Sequence, residues 1–138
     1  MDTSALVAGI ASQKGAAREI LRFGEAGIIE IIVSKQVLVE TRRTFAKKLP
    51  SLAGGLDAYL RELALTVVDD PARPSIDAAE IRIRTKDAPI LAAAEACGAS
   101  FLVTWDRRDF ILRREAIQSA AQICTPAEFL ALYRAAVS

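Results

Sequence analysis

Short apolar runs rich in β-branched residues alternate with helical segments along this chain. The runs span residues 28–34, 65–70, 100–104 and 121–124. Helical periodicity dominates most of the sequence between them. Strands that are joined by helical crossovers pair in parallel and carry helices on both faces of the sheet. The sequence therefore predicts an α/β fold with a parallel, doubly wound sheet.

One central helix has boundaries that can be placed from local signals. Ser34 is suited to cap a helix that continues to about Lys48. The apolar stripe of this helix is predicted to consist of Leu38, Phe45 and Leu49.

Other segments can be assigned in the same way. Residues 15–27 predict an earlier helix with Ala17, Ile20, Leu21 and Gly24 on one side. Residues 88–98 predict a later helix with proline in its first turn and glycine at its end. Residues 125–128 form a capping box that opens a terminal helix through Ala136. Residues 71–87 contain two prolines and mixed charge, and we expect this stretch to be irregular.

Length and composition limit the possible functions. A chain of 138 residues predicts a single domain over residues 1–138. The chain has no histidine, which excludes Ser-His-Asp and Cys-His catalysis and most zinc sites. Any catalysis must then use carboxylates, amines, hydroxyls or a metal-activated water. The net charge of +1 argues against a general polyanion binder but is compatible with an acidic pocket that has a basic rim.

The sequence also bears on location. No apolar run approaches the roughly 20 residues that a membrane-spanning helix needs. The N-terminus has no basic region ahead of its apolar stretch, as a secretion signal would have. We therefore expect a cytoplasmic protein with no membrane contact.

Four acidic residues lie where such a fold could direct them into one pocket: Asp2, Glu40, Asp87 and Asp106. Doubly wound sheets bind ligands beyond the carboxyl ends of their strands. Asp106 follows the run at residues 100–104, and Asp87 opens the helix before that run, so both acids lie at one edge. Converging carboxylates repel one another unless a proton or a cation intervenes, and Mg²⁺ and Mn²⁺ prefer oxygen ligands. The pocket is therefore expected to bind a hard metal ion.

Each of the four acids also has a purely local interpretation. Asp87 suits a helix N-cap, and Asp106 suits the first position of a turn. Glu40 lies about two turns into its helix and off the apolar stripe, where it can pair with Arg43. Asp2 would end a first strand if one lay upstream, and otherwise it is a frayed terminal residue. Local sequence leaves these interpretations open.

Four segments together resemble the PIN-domain family. In the order of the family, and across nearly the whole chain, they are Asp2–Leu6, Val37–Glu40, Lys86–Ala94 and Leu102–Asp106. The resemblance implies a three-layer α/β/α fold with a parallel central sheet of strand order 3-2-1-4-5. It also implies a metal-dependent ribonuclease similar to the VapC type, which is the toxin of a pair with a small antitoxin protein. Members of the family often form dimers.

The resemblance assigns roles to the positions that match. The acidic quartet that would carry catalysis and bind one or two Mg²⁺ or Mn²⁺ ions is Asp2, Glu40, Asp87 and Asp106. The small hydroxyl residues that would contact these ligands or their waters are Thr3, Ser4 and Thr104. Asp109 is a further acid near the rim of the pocket, with a turn-capping role as its alternative.

Basic side chains flank the two acids at the shared edge. They are Arg82, Arg84, Lys86, Arg107 and Arg108. Such a rim would hold the phosphates of RNA beside an acidic pocket, and a solvated face is the alternative. Trp105 is placed to stack on a base, although packing is the more frequent role of a tryptophan after a strand.

The chain departs from the family pattern at its N-terminal end. The family has a hydrophobic strand before its first aspartate, whereas only Met1 precedes Asp2 here. A sheet without that strand would lose hydrogen bonds and buried surface. Three explanations are open: the true start lies upstream, residues 1–3 form a truncated strand, or the domain is a degenerate paralogue. We favour the first.

Three functions follow from these observations. The leading hypothesis is a Mg²⁺- or Mn²⁺-dependent endoribonuclease that acts as a toxin. A catalytically silent PIN-fold interaction module is an alternative, supported by the truncated first strand. A receiver-like phosphoacceptor domain is the least favoured, because Asp69 and Asp70 end a strand but the expected acidic pair and lysine are missing elsewhere.

Overall fold

Helices make up most of the computed structural model, which describes residues 1–138. There are nine α-helices: α1 Thr3–Ala11, α2 Ala16–Glu25, α3 Lys35–Lys48, α4 Pro50–Ala53, α5 Leu56–Glu62, α6 Arg73–Glu80, α7 Ala88–Ala96, α8 Arg114–Ile117 and α9 Pro126–Val137. A 3₁₀ turn at Ile111–Arg113 leads into α8. None of these helices combines the length and the apolar character that crossing a membrane requires.

The strands are short and lie within the four predicted apolar runs. They are β1 Ile32–Ser34, β2 Thr66–Val68, β3 Phe101–Val103 and β4 Gln122–Cys124. β1 pairs in parallel with β2, and β3 pairs in parallel with β4. The α/β class and the parallel pairing are therefore confirmed. The continuous sheet of order 3-2-1-4-5 is not formed, because β1 and β3 are not hydrogen-bonded to each other or to a common strand.

Residues 1 and 2 connect the two strand pairs. The amino group of Met1 donates a hydrogen bond to the carbonyl oxygen of Ile32 in β1, at 3.0 Å. The backbone N–H of Asp2 donates to the carbonyl oxygen of Val103 in β3, also at 3.0 Å. These two residues therefore lie where a strand between β1 and β3 would end, and α1 begins directly after them.

Helix α3 agrees with its predicted boundaries but not with its predicted stripe. The Ser34 hydroxyl accepts a hydrogen bond from Val37 N–H, and the helix ends at Lys48. The core-facing residues are Val37, Thr41 and Phe45, whereas Leu38 and Leu49 are only half-buried. Thr41 can occupy the stripe because its hydroxyl donates to the carbonyl oxygen of Val37, at 2.7 Å, so the buried polar group is satisfied.

The expectation of an irregular stretch over residues 71–87 was wrong in part. Helix α6 forms there with a proline in its first turn, a position where the missing N–H costs nothing. Arg73 pairs with Asp77 at 2.9 Å and with Glu80 at 3.3 Å, so its guanidinium group connects successive turns. The mixed charges of this stretch lie at helical spacing, so they stabilise a helix and do not indicate a loop.

One cluster of 28 buried apolar residues draws on the helices and on both strand pairs. Helix α2 buries the side predicted for it, which consists of Ala17, Ile20, Leu21 and Gly24. A Cβ atom at Gly24 would lie 2.5 Å from Cδ1 of Ile31. A larger residue at position 24 would therefore force the Ile31 side chain, in the segment before β1, to shift.

The C-terminal helix starts as the sequence predicts. The Thr125 hydroxyl accepts from Glu128 N–H, and the Glu128 carboxylate accepts from Thr125 N–H, which completes a capping box. Glu128 also pairs with Arg114 at 2.9 Å. The hydrogen bond from Arg114 lowers the pKa of Glu128 to about 2, with a further contribution from Thr125 N–H.

Candidate functional site

Three aspartates converge where β3 ends and α7 begins. Asp87 precedes α7, whereas Asp106 and Asp109 lie in the segment that follows β3. One carboxylate oxygen from each residue lies within 4.8 Å of the others. The shared edge predicted for Asp87 and Asp106 therefore exists, and we call these three residues the acidic triad.

Asp87 is the member of the triad with an unmet hydrogen-bonding requirement. It occupies the N-cap position of α7, but its backbone is helical and its side chain makes no capping bond. Its Oδ2 atom is buried and has no hydrogen-bond partner. Burial raises the pKa of Asp87 to about 6, and the negative charges of Asp106 and Asp109 act in the same direction against Lys86. The local interpretation of Asp87 as a capping residue does not hold.

Asp109 is more central than the sequence indicated. The Oδ1 atom of Asp106 accepts a hydrogen bond from Asp109 N–H at 2.9 Å, and this turn directs Asp109 inward. Asp109 is 3% exposed and pairs with Arg84 at 3.1 Å and with Lys86 at 3.2 Å. Burial opposes ionisation, but the hydrogen bond from Lys86 and the nearby positive charges hold the pKa of Asp109 below its ordinary value.

Asp2 is buried beside the triad, and hydrogen bonds satisfy both of its oxygens. Oδ1 accepts from the Ser4 hydroxyl at 2.9 Å and from Ala5 N–H at 3.0 Å, so Asp2 caps α1. Oδ2 accepts from the Thr104 hydroxyl. Burial raises the pKa of Asp2, while the bonds from Thr104, Ala5 and Ser4 act in the opposite direction. The interpretation of Asp2 as a frayed terminal residue is therefore wrong.

Hydroxyl groups connect Asp2 to the segment that carries the triad. Thr104 is fully buried, donates to Asp2 and accepts from Asp106 N–H at 2.9 Å. Ser4 donates to Asp2 and accepts from Trp105 N–H at 3.0 Å. Two of the three hydroxyl residues predicted to support the acids, Ser4 and Thr104, thus connect Asp2 to the segment that carries Asp106.

Glu40 lies further out, outside the acidic triad. Its Oε1 atom accepts from the Thr3 hydroxyl at 3.3 Å and from the Gln36 side chain at 3.2 Å. It forms no ion pair with Arg43. The structure therefore places Glu40 next to Asp2 through Thr3, and it does not bring all four predicted acids into contact.

The predicted basic residues have different environments. Arg82 makes two hydrogen bonds of 2.7 Å to Glu95 and is engaged away from the triad. Arg84 and Lys86 contact Asp109, as described above. Arg107 and Arg108 are exposed. Trp105, next to Asp106, is 42% exposed, so its ring is not a core side chain.

The acidic triad suits a hard divalent cation. It offers carboxylate oxygens, the ligands that Mg²⁺ and Mn²⁺ prefer, and no nitrogen or sulfur ligand. The unpartnered Oδ2 atom of Asp87 would gain a ligand, and the mutual repulsion that raises its pKa would be relieved. Asp87 and Asp106 could therefore hold a metal ion. Asp109 could contribute a further ligand if its ion pairs with Arg84 and Lys86 were broken.

The acids expected of a receiver-like domain have other partners. Asp69 pairs with Lys35 at 2.6 Å, and Asp70 accepts from Gln36 N–H at 2.9 Å. Both therefore contact the N-terminal end of α3, where negative charge is favourable. These contacts are structural and explain the acidic pair without a phosphoacceptor role.

The chain thus combines an α/β fold of parallel strands with a cluster of acids beyond the end of a strand. The family model described as PIN domain matches residues 1–108, so the chain belongs to the PIN-domain family. PIN domains are generally nucleases and usually use divalent metal ions, and the acidic triad fits that use. No curated protein and no solved structure gave a significant match.

The position of Asp109 differs from the one that the sequence predicts. Asp109 is predicted as a further acid near the rim of the pocket, whereas the structure places it in the triad. The available signal was its spacing of three residues from Asp106, which allows the Asp106 side chain to close a turn on Asp109 N–H.

Proposed function

We propose that this protein is a divalent-metal-dependent endoribonuclease and the toxin component of a toxin-antitoxin pair. The observation that carries the proposal is the acidic triad with its buried, unpartnered Asp87 oxygen. Three carboxylates this close are unfavourable unless a proton or a cation offsets their charge. A hydrolase without histidine needs such a cation more than most, because imidazole cannot act as its base.

The residues of the triad would hold a Mg²⁺ or Mn²⁺ ion. When bound, such an ion supplies an activated water and offsets negative charge on a phosphodiester. Asp87 and Asp106 would contribute oxygen ligands. Asp2, Thr104 and Ser4 fix the segment that carries Asp106, so their role is to position it. Glu40, which accepts a hydrogen bond from Thr3, would add a further negative charge at the edge of the site.

RNA is the proposed substrate because the rim next to the triad is basic. Arg107 and Arg108 are exposed directly after Asp106, and they are free of the ion pairs that engage Arg82. Arg84 and Lys86 contact Asp109 and could exchange that contact for a phosphate. Trp105, which is exposed and next to Asp106 in the chain, offers a surface on which an unpaired base could stack.

Cleavage assays test the enzymatic part of the proposal. Purified protein should cleave single-stranded RNA with added Mn²⁺ or Mg²⁺, and EDTA should abolish cleavage. Asp87→Asn and Asp106→Asn should each lower the rate by at least about 100-fold, because each removes an anionic ligand. A DNA strand of the same sequence, assayed in parallel, separates ribonuclease from deoxyribonuclease activity.

Asp57→Asn is the matched control for these variants. Asp57 is an exposed aspartate that pairs with Arg42, on a helix unconnected with the triad. This variant should cleave RNA at the rate of the unmodified chain. Full activity in both triad variants would refute the site, and equal activity in EDTA would refute the metal requirement.

Growth measurements test the toxin part. Expression of the chain in bacteria should arrest growth, and expression of Asp106→Asn should not. Co-expression of a small protein encoded next to it should relieve the arrest and yield a complex that survives purification, in which the toxin is a monomer or a homodimer. Growth arrest that is equally strong with Asp106→Asn would argue against a nuclease toxin.

A catalytically silent PIN-fold module is the second candidate, and one observation favours it. Arg84 and Lys86 already place two positive charges within 3.2 Å of Asp109, so cations of the chain itself partly neutralise the triad. Calorimetric titration with Mn²⁺ distinguishes the two candidates. Absence of binding heat for the unmodified chain would favour the silent module, whereas binding that Asp87→Asn removes would favour the nuclease.

A further inference from the structure

The chain itself supplies two cations to the acidic triad. Nε of Arg84 lies 3.1 Å from Oδ1 of Asp109, and Nζ of Lys86 lies 3.2 Å from Oδ2 of the same residue. Each oxygen of Asp109 therefore faces a positive charge. Neither Arg84 nor Lys86 has another acidic partner. We call these two basic residues the cation pair.

Lys86 also acts on the other two acids of the triad. The hydrogen bond to Asp109 raises the pKa of Lys86, and the negative charges of Asp87 and Asp106 act in the same direction. A divalent cation at the triad would be repelled by the ammonium group of Lys86, because both would share one set of carboxylates. The cation pair and a metal ion therefore compete for Asp109.

The cation pair is accessible from solvent, whereas Asp109 is not. The side chain of Lys86 is 67% exposed and that of Arg84 is 48% exposed, compared with 5% for Asp109. A phosphate group that approaches from solvent can therefore reach the cation pair without entering the triad. Arginine and lysine are among the side chains with which proteins contact the phosphates of nucleic acids.

Only the two basic side chains would have to move to exchange partners. The carbonyl oxygen of Arg84 accepts hydrogen bonds from the N–H groups of Asp87 and Ala88, at 2.9 and 3.0 Å, and the neighbouring Ile83 is buried. The backbone that carries the cation pair is therefore anchored. Lysine and arginine have long side chains with several rotatable bonds, so rotation alone can redirect their charges.

Breaking these ion pairs has a cost that depends on what replaces them. A buried carboxylate that loses its cationic partners is strongly unfavourable unless another cation takes their place. Phosphates alone would therefore leave Asp109 unpaired, and a metal ion alone would leave the cation pair close to a divalent charge. When phosphates and a metal ion bind together, each removes the cost that the other would meet.

We propose that the cation pair takes the place of a metal ion at Asp109 until the phosphates of a bound RNA engage Arg84 and Lys86, so that RNA and the divalent ion bind cooperatively. The proposal rests on the proposed function, because it assigns a regulation to the same site. Asp109 becomes a metal ligand only when RNA is bound, whereas Asp87 and Asp106 are available in both states. Such cooperativity is reciprocal, so each ligand strengthens the binding of the other by the same factor.

Calorimetric titration with Mn²⁺ tests the competition in the absence of RNA. Lys86→Gln and Arg84→Gln each remove one positive charge and leave Asp109 with its other partner, so the buried carboxylate stays paired. Each variant should bind Mn²⁺ about fivefold or more tightly than the unmodified chain, and Lys86→Arg, which keeps the charge, should bind it equally well. A Mn²⁺ affinity of Lys86→Gln that equals or falls below that of the unmodified chain would overturn the proposal.

Lys35→Gln is the matched control for Lys86→Gln. Lys35 is an exposed lysine that pairs with Asp69 at 2.6 Å, so the variant makes the same change of charge outside the triad. Its Mn²⁺ affinity should equal that of the unmodified chain. A gain in Lys35→Gln as large as that in Lys86→Gln would mean that net charge sets the affinity, and this result would also overturn the proposal.

Fluorescence anisotropy with a labelled oligonucleotide tests the cooperativity. A single-stranded 2′-O-methyl RNA carries the phosphates of the proposed substrate, and electrophoresis checks that it stays intact during the measurement. At constant ionic strength, added Mn²⁺ should strengthen its binding to the unmodified chain by about tenfold, and the gain should be several times smaller in Lys86→Gln. An equal gain in both chains would show that the ion acts on RNA binding without the cation pair, which would overturn the proposal.

The outcomes of these titrations distinguish this proposal from the proposed function. Mn²⁺ binding that Lys86→Gln and Arg84→Gln leave unchanged would overturn the competition and leave the metal site in place. Absence of Mn²⁺ binding in the unmodified chain and in every variant would refute the metal site and this proposal together.

Discussion

Asp2 and Asp87 are both acids at the same edge of the fold, and in both burial raises the pKa. They differ in what surrounds the carboxylate. Asp2 accepts hydrogen bonds from Ser4, Ala5 and Thr104, so neither oxygen is without a partner. Asp87 has a buried oxygen with no partner and two acidic neighbours. The chain itself therefore satisfies both oxygens of Asp2 but leaves one oxygen of Asp87 without a hydrogen bond.

This difference separates an acid that the chain itself satisfies from an acid whose buried oxygen the chain leaves without a hydrogen bond. A buried acceptor without a partner costs about 1–3 kcal/mol, which a fold does not retain without some compensation. Hydrogen bonds of the chain compensate Asp2, while a proton or a cation must compensate Asp87. The two regions should then respond in opposite ways to mutation and to metal, and three measurements test this.

The largest expected effect is stabilisation by Mn²⁺. Binding to the folded chain alone raises the free energy of unfolding by about 2.7 kcal/mol at a concentration 100 times Kd. Thermal unfolding with increasing Mn²⁺ should show a rising Tm for the unmodified chain and for Asp57→Asn. Asp87→Asn should show no such rise, and a normal rise in that variant would remove the triad as the metal site.

Asp2→Ala should lower the free energy of unfolding by about 2 kcal/mol, because it removes the cap of α1 and leaves the buried Thr104 hydroxyl without its acceptor. Urea denaturation measures this loss. Asp57→Ala, at an exposed ion pair, should change stability by no more than about 0.5 kcal/mol. If Asp2→Ala lowered the free energy of unfolding by no more than this control does, the proposed difference between Asp2 and Asp87 would be wrong.

The smallest effect is expected for Asp87→Asn in the absence of metal, and it should be stabilising. At about pH 7 the native carboxylate is ionised at a cost that asparagine avoids. Because Asp87 is only partly buried, solvent screening reduces the gain to about 1 kcal/mol. Urea denaturation in EDTA measures it, and a loss of stability comparable to that of Asp2→Ala would contradict the expectation.

The stabilisation expected from Asp87→Asn should increase with pH. The pKa of Asp87 is raised from 3.8 to about 6, so between these values the native state binds more protons than the unfolded state. The contribution of Asp87 to stability is therefore present below about pH 4 and is lost as the pH rises through about 6. The advantage of Asp87→Asn should accordingly be absent near pH 4 and complete above pH 7.

Much of the fold was accessible from local sequence. The cap at Ser34, the capping box at Thr125 and the buried side of α2 depend on contacts within a few residues, so their patterns predicted them. Local sequence predicted less well where the irregular stretch ends and which residues of α3 face the core. Both depend on whether Arg73 finds acidic partners and whether the Thr41 hydroxyl is satisfied, and composition does not report either.

The residues of the candidate site also differ in how well the sequence predicted their positions. Asp87 and Asp106 were predicted to meet because helix starts and strand ends share an edge in parallel folds. Asp109 was not predicted as a member, since its inward direction depends on a turn closed by the Asp106 side chain. Arg82 was predicted for the rim, yet it binds Glu95, a residue of α7 that is 13 positions away in the chain.

By itself, the sequence determined the α/β class, the family, and the presence of acids at the end of a buried strand. Those properties follow from periodicity and from residue types at short spacing. Only the tertiary structure decided that hydrogen bonds satisfy both oxygens of Asp2 but not both oxygens of Asp87. It also decided that an apolar groove lies between the two strand pairs. Hydrogen bonds such as that from Thr104 to Asp2 join residues about 100 positions apart, and burial depends on the whole chain, so neither is encoded in any local pattern.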